Sequence, residues 1–230
     1  MIVKLVASTG VDVGLLETPW QESGEGLTAS DRLAEFGGRL CYQSWDRPNP
    51  ATATNAGYLA NIIKQQHFSV LEHASASFYV AGVSRSLSHE LVRHRHLSFS
   101  QLSQRFVDES QFRFVEPPAV TRSQMRQGAD GVPVALGQHA NDIARVYRQL
   151  YEQLVTQGLS RKQAREAARA VLPNATETQF LVTGNMRAWR EVIAKRISPH
   201  ADAEIQLFAK AVLIELKRIA PNTFQDMEIE

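Results

Sequence analysis

The apolar positions of this chain keep two different periods, and the changes from one to the other mark its elements. Ile2 to Ala7 reads as a short β-strand, and the polar, glycine-rich stretch from Thr18 to Thr28 reads as a loop. Between Thr54 and Gln66, the residues Ala56, Leu59, Ala60, Ile62 and Ile63 recur at helical spacing and predict an amphipathic helix. His67 then starts a turn. From Ala74 to Val83, Ser75, Ser77 and Tyr79 alternate with Ala76, Phe78 and Val80, the pattern of a half-buried strand. Ser84 is placed to cap a following helix whose Leu87 and Leu91 lie one turn apart. Residues 106–134 hold prolines and glycines without a period and read as irregular, with a strand near Phe112 to Val115.

Helical spacing dominates the carboxy-terminal half. Ile143, Val146, Tyr147, Leu150 and Leu154 form one stripe, which Gly158 ends as a C-cap; Ser160 with Gln163 makes a capping box for a second helix that Pro173 stops. Ala175 to Val182 reads as extended, Asn185 to Ile197 as a third helix, and Ser198-Pro199 as the start of a fourth that reaches about Ala220. The expected fold class is therefore α+β: a mostly antiparallel sheet with several long helices, in one domain spanning residues 1–230.

Composition narrows the class further. Hydrophobic residues make up 43% and charged residues 21% of 230, an ordinary globular balance. No stretch of about 18 apolar residues occurs, and Met1 to Gly10 has no leader-like pattern, so a soluble cytoplasmic protein is expected. The single cysteine, Cys41, excludes an intrachain disulfide and the common structural zinc patterns. A net charge of +1 provides no general field for nucleic acid. The cations are biased, however: arginine far outnumbers lysine, and no lysine occurs between Lys64 and Lys162. Guanidinium groups bind phosphate and carboxylate bidentately and stack on flat rings, which suits nucleotide-like anions.

That bias is densest in Arg93-His94-Arg95-His96-Leu97-Ser98-Phe99-Ser100-Gln101-Leu102-Ser103-Gln104-Arg105, a run with neither lysine nor carboxylate to balance it. It begins where the helix after Ser84 ends, at a helix terminus or the loop beyond, where backbone groups can meet a ligand. His94 and His96, two apart and without a nearby carboxylate or thiolate, are a weak metal signal, and no metal is expected. Neither a G-x-x-x-x-G-K-[ST] nor a G-x-G-x-x-G motif is present, so a nucleotide here is held by side chains. Two smaller clusters follow. In His67-Phe68-Ser69-Val70-Leu71-Glu72-His73, Ser69 either meets a ligand or braces the turn, and Glu72 either does the same or pairs with His73. In Asn185-Met186-Arg187, Asn185 is also an ordinary N-cap, and Arg196 an ordinary partner of a helix C-terminus.

The run Arg93-His94-Arg95, Ser98, Ser103 and Arg105 fits the RHRxxSxxxxSxR signature of the flavin-dependent thymidylate synthases, and the chain resembles that family from about residue 30 to 225. His67-x-Ser69 with Glu72-His73, Arg169 through Pro173, and Asn185-x-Arg187 through Arg196 and His200 resemble its other segments. The resemblance implies reductive methylation of dUMP to dTMP, with 5,10-methylenetetrahydrofolate as carbon donor, FAD as hydride carrier and NADPH as reductant. It implies that Ser69, Arg93, His94, Arg95, Gln101, Asn185, Met186, Arg187 and Glu191 face the flavin. Glu90, Leu91, Val92, Arg93, Gln101, Leu102, Ser103, Gln104, Arg105, Arg169 and Arg196 would surround the nucleotide, with Arg196 catalytic beside the uracil. A homotetramer with shared active sites is implied as well. Gln101 stands where other members carry Glu, and Glu191 where Asn or His also occurs. Two rivals remain at this point: a module binding single-stranded nucleic acid through Arg93, Arg95, Arg105 and Phe99, and a flavin enzyme that methylates uracil within RNA.

Overall fold

The structure is a computed structural model, and it describes residues 1–12, 27–47, 49–122 and 134–229. Strands β1 (Ile2–Ser8), β2 (Ser75–Ser84), β3 (Leu97–Gln101) and β4 (Glu177–Asn185) form one antiparallel sheet in the order β1-β2-β4-β3. Among the described residues the helices are α1 (Ala29–Tyr42), α2 (Asn55–Lys64), α3 (Arg85–Leu91), α4 (Pro118–Arg122), α5 (Val134–Thr156), α6 (Arg161–Ala168), α7 (Met186–Arg196) and α8 (Ala203–Ile219). The α+β class expected from the patterning is the class observed. Contacts divide the chain into two compact units. The first comprises Met1–Ile2, Val80–Arg93 and Ser100–Phe180, the second Val3–Tyr79, His94–Phe99 and Leu181–Glu230.

In the second unit, the inward face of α1 is mostly polar: Ser30, Asp31, Glu35 and Arg39 are buried with Ala34 and Gly38. Apolar periodicity gives no sign of such a helix, and none is predicted there. The Asp31 carboxylate accepts the backbone N–H groups of Asn222 (2.9 Å) and Thr223 (3.0 Å) and the Thr223 hydroxyl (2.6 Å). Glu35 accepts from Arg39 Nε (2.7 Å) and Asn55 Nδ2 (2.8 Å). Arg39 also donates to the Ser44 and Thr52 carbonyls and lies 4.4 Å over the Tyr58 ring. A buried polar group is tolerated only when it is bonded, so this network ties α1 to α2 and to the chain's last turn at one geometry.

The apolar core of the same unit lies under α7 and α8, where Trp189, Val192, Phe208, Val212, Leu213 and Leu216 are fully enclosed. Trp189 packs edge-on against Phe78 at 5.1 Å, and its indole N–H donates to the Ala76 carbonyl at 3.1 Å. Gly184 permits the tight corner from β4 into α7: a Cβ there would collide with the Leu97 side chain and lie 3.3 Å from the Trp189 indole nitrogen.

In the first unit, α5 ends near Gly158, whose φ of +93° is a left-handed conformation that glycine adopts without strain. The Ser160–Gln163 capping box then starts α6. Tyr147 on α5 is buried, and its hydroxyl accepts the Glu109 N–H at 3.4 Å; Arg165 on α6 donates to the Phe106 carbonyl at 2.8 Å. The two helices thus pin the loop that follows β3.

Several boundaries differ from expectation. Leu97–Gln101 is strand rather than loop, because β4 offers it an edge that no local pattern could announce. Near residues 112–115 there is only an isolated bridge, Phe114 to Thr176. The last helix begins at Ala203 after Asp202, not at Ser198. Most of the loop expected from Thr18 to Thr28, and residues 123–133 of the irregular stretch, lie outside the described residues.

Replacing Asp31 by Ala removes one acceptor from three donors at once, a loss of roughly 3–5 kcal/mol. Urea unfolding should show a lowered midpoint at unchanged slope; an unchanged midpoint would mean that the three donors find other partners.

Candidate active site

Helix α7 organises one cluster, in the second unit. Asn185 is its N-cap: the side-chain oxygen accepts the Ala188 N–H at 2.8 Å. Asn185, Arg187, Ala188 and Glu191, with Glu72 and His96, line a pocket of about 200 Å³. Arg187 donates to Glu72 across it, and both side chains are about half exposed. Glu72, left between a ligand and His73 by its local sequence, therefore has a partner 115 residues away. On the next turn Lys195 bonds Glu191 at 2.6 Å. That bond, reinforced by the positive charge of Lys195, holds the Glu191 carboxyl below its usual range against the effect of burial.

The last residue of α7 makes a different contact. Arg196 Nε donates to His94 Nε2 at 2.9 Å. Only a neutral imidazole with its proton on Nδ1 accepts there. Burial, and then the charges of Arg196 and Lys195, keep the His94 pKa below that of an ordinary histidine, with Glu191 opposing them. Ser69 is exposed in a 3-10 turn (Phe68–Glu72), and Arg95 and His96 are exposed before β3. The Met186 side chain lies in the core and its N–H bonds the Ala74 carbonyl, so the rest of the cluster is better placed to meet a ligand.

The remaining candidates belong to the first unit. Glu90 is half-buried and Leu91 fully buried at the end of α3, and Val92 and Arg93 are exposed beyond it. Gln101 spends its amide on Ser88 Oγ (3.0 Å) and Thr178 Oγ1 (3.1 Å). The Ser103 carbonyl accepts the N–H groups of Phe106 (3.1 Å) and Val107 (3.0 Å), a tight turn that exposes Arg105 while Leu102 and Ser103 stay half-buried. Gln104 is buried, and its Nε2 has no hydrogen-bond partner. Arg169 is exposed in a 3-10 turn (Arg169–Val171) after α6.

Sequence reasoning missed two groups. Arg85, directly after the Ser84 cap, is half-buried and interacts electrostatically with Glu109 and Arg169; Glu109 is buried, and desolvation raises its carboxyl pKa against the pull of Arg85. Arg85 Nη1 and Glu109 Oε1 are buried without a hydrogen-bond partner. Neither residue sits in a charged run, so only the neighbours supplied by folding mark them. The second is Lys195, one turn from Glu191 on α7 and bonded to it; Glu72 and His96, already within candidate runs, are brought to α7 by tertiary contact.

This arrangement favours anions. The α7 pocket offers an arginine, a histidine and the start of an eleven-residue helix, and Ser103, Arg105 and Arg169 offer a hydroxyl and two guanidinium groups. Among the described residues no group of three or more His, Cys, Asp or Glu side chains is placed to hold a metal ion.

Comparison with known proteins gives the same direction. The family model described as "Thymidylate synthase complementing protein" matches residues 26–222. Proteins named "Flavin-dependent thymidylate synthase" from Mycobacterium sp. (strain JLS), Mycobacterium tuberculosis (strain ATCC 25177 / H37Ra) and Mycobacterium bovis (strain BCG / Pasteur 1173P2) are each 50% identical to this chain over 232 residues, covering 99% of it and 90% of the relative.

Asn185→Ala should cost about 1 kcal/mol through loss of the α7 cap. Thermal or urea unfolding of the purified variant reads this directly, and wild-type stability would show that the cap is dispensable.

Proposed function

We propose, from the premise that the chain belongs to the flavin-dependent thymidylate synthase family, that it reductively methylates dUMP to dTMP. Methylenetetrahydrofolate supplies the carbon and NADPH the reducing equivalents. The observation that carries this reading is the intact run from Arg93 to Arg105 in a chain 50% identical to relatives of that name over nearly its whole length. The enzyme works as a single 1–230 domain in a homotetramer with shared active sites. It is proposed to act in the cytoplasm on small molecules, not on nucleic acid; no helix among the described residues is long and apolar enough to cross a membrane.

FAD fits the residues of the α7 cluster by chemistry. Arg187 and the helix start suit a phosphate or a ring carbonyl, Asn185 and His96 supply hydrogen bonds, and a pocket of about 200 Å³ accommodates one end of such a cofactor rather than all of it. The family resemblance completes the assignment with Ser69, Arg93, His94, Arg95, Gln101 and Glu191. When bound, FAD carries the hydride that completes the methyl group.

The protein's own work is anchoring and electrostatics. Ser103 and Arg105, two apart in a tight turn, direct a hydroxyl and a guanidinium at one phosphate, and Arg169 adds charge from a neighbouring subunit. Binding energy taken from that remote group positions the reacting ring, a contribution of several kcal/mol out of a possible ~7–11. Carbon 5 of uracil is a poor nucleophile, so either an enzyme nucleophile adds to the ring or the ring's electron density rises. Arg196, a permanent cation at the uracil edge, stabilises the ring deprotonated at nitrogen 3 and makes the ring itself the nucleophile. Cys41, the chain's only cysteine, is exposed, and no histidine adjoins it in sequence to generate a thiolate.

Anaerobic incubation of dUMP with methylenetetrahydrofolate and NADPH should form thymidylate only when FAD is restored to flavin-stripped protein. No product from folded, flavin-loaded protein would overturn the reading and redirect attention to uracil in RNA. Cys41→Ala should keep most of the turnover, whereas Arg196→Ala should abolish turnover with FAD still bound. The reverse pattern in single-turnover assays would restore a cysteine mechanism.

A further inference from the structure

We propose that His94 is a positioning residue whose protonation state decides whether Arg196 is held in its working orientation. The inference rests on the role given to Arg196 above and adds a group that acts through it.

Both ends of the contact are set by the core. Arg196 closes a helix whose Trp189, Val192 and Ile193 are buried. His94 begins a turn closed by the Leu97 N–H, which donates to the His94 carbonyl at 3.2 Å, and Leu97 is itself buried in the space left by Gly184. With both backbones fixed, the bond from Arg196 Nε to His94 Nε2 sets the stem of the guanidinium across 102 residues of sequence.

That bond exists only for neutral imidazole. Protonation removes the acceptor lone pair and places a second cation against Arg196, turning attraction into repulsion. Among the described residues, the charged groups that act on His94 lie on α7: Arg196 and Lys195 resist the proton, and Glu191 attracts it. His96, on the same turn as His94, also acts on Glu191, but Glu191 is committed to Lys195 at 2.6 Å. The balance therefore favours neutral His94 and places its protonation at more acid pH than that of an ordinary histidine. Because Arg196 is assigned to charge that develops during reaction, losing its orientation lowers kcat and leaves the KM for dUMP, set by phosphate contacts, nearly constant.

The test is kcat and KM for dUMP from pH 5 to 9, with flavin occupancy followed by visible absorbance at every pH. Wild-type kcat should fall about tenfold per pH unit on the acid side of the His94 transition, at constant KM and constant occupancy. In His94→Gln the amide oxygen accepts at every pH, so this acid limb should vanish whatever the absolute kcat. Thymidylate from wild-type protein together with a persistent limb in His94→Gln overturns the positioning role alone; no thymidylate from wild-type protein overturns the reaction and this role with it. A second readout needs no turnover. In ¹⁵N spectra of the histidine rings, His94 should carry its proton on Nδ1 at pH 8, and Arg196→Ala should move its titration to higher pH. An unmoved titration overturns the proposal.

Discussion

The Trp189 indole N–H is enclosed in the core and must find an acceptor there, and the acceptor it finds is the Ala76 carbonyl on β2. Much of the second unit follows from that bond. It fixes the rotation of α7, so Trp189, Val192 and Ile193 point inward and Arg187, Glu191 and Lys195 point outward. The corner that feeds the helix is equally constrained, because Gly184 leaves room for Leu97 and Met186 bonds back to Ala74. The charged face of α7 is thus oriented by an apolar and backbone constraint, which ionic strength leaves unchanged.

Charge is used differently in the interior and at the surface of this unit. Around Asp31, Glu35 and Arg39 nearly every polar atom has a partner, and the network works as a lock between α1, α2 and the chain's end. Around Arg187 and Glu191 the ion pairs are exposed, of the kind worth about 0–1 kcal/mol, so a ligand anion can replace Glu72 at little cost. His94 and Arg196 lie between these extremes, buried enough for the bond to matter and open enough for protons to reach it.

Legibility in the sequence followed the kind of interaction involved. The helices α2, α5, α6 and α7 could be read because local chemistry marks them: Thr54, Ser160 and Asn185 cap, Gly158 ends, and apolar residues repeat at helical spacing. Helix α1 could not, because its buried face is built of Ser30, Asp31, Glu35 and Arg39, which appear in sequence as an exposed surface. Strand β3 was hidden in the same way, since Leu97–Gln101 lies inside the cationic run and becomes a strand only by pairing. Of the candidate site, residue types and family could be read, but partners could not: nothing near Glu72 points to Arg187, and nothing near His94 points to Arg196.

What the sequence determined by itself is therefore chemical. An arginine-dense run without carboxylates points to an anion as its ligand, and its spacing points to the family that the comparison then showed. Only the tertiary structure decided which of these groups work together, and how. The pairing of Arg187 with Glu72, the bond from Arg196 to His94, and the burial of Met186 away from the pocket depend on distances between residues far apart in the chain. Hydrogen bonding, desolvation and Coulomb interaction all act over a few ångströms of space, so folding has to create those separations before the residues acquire their roles.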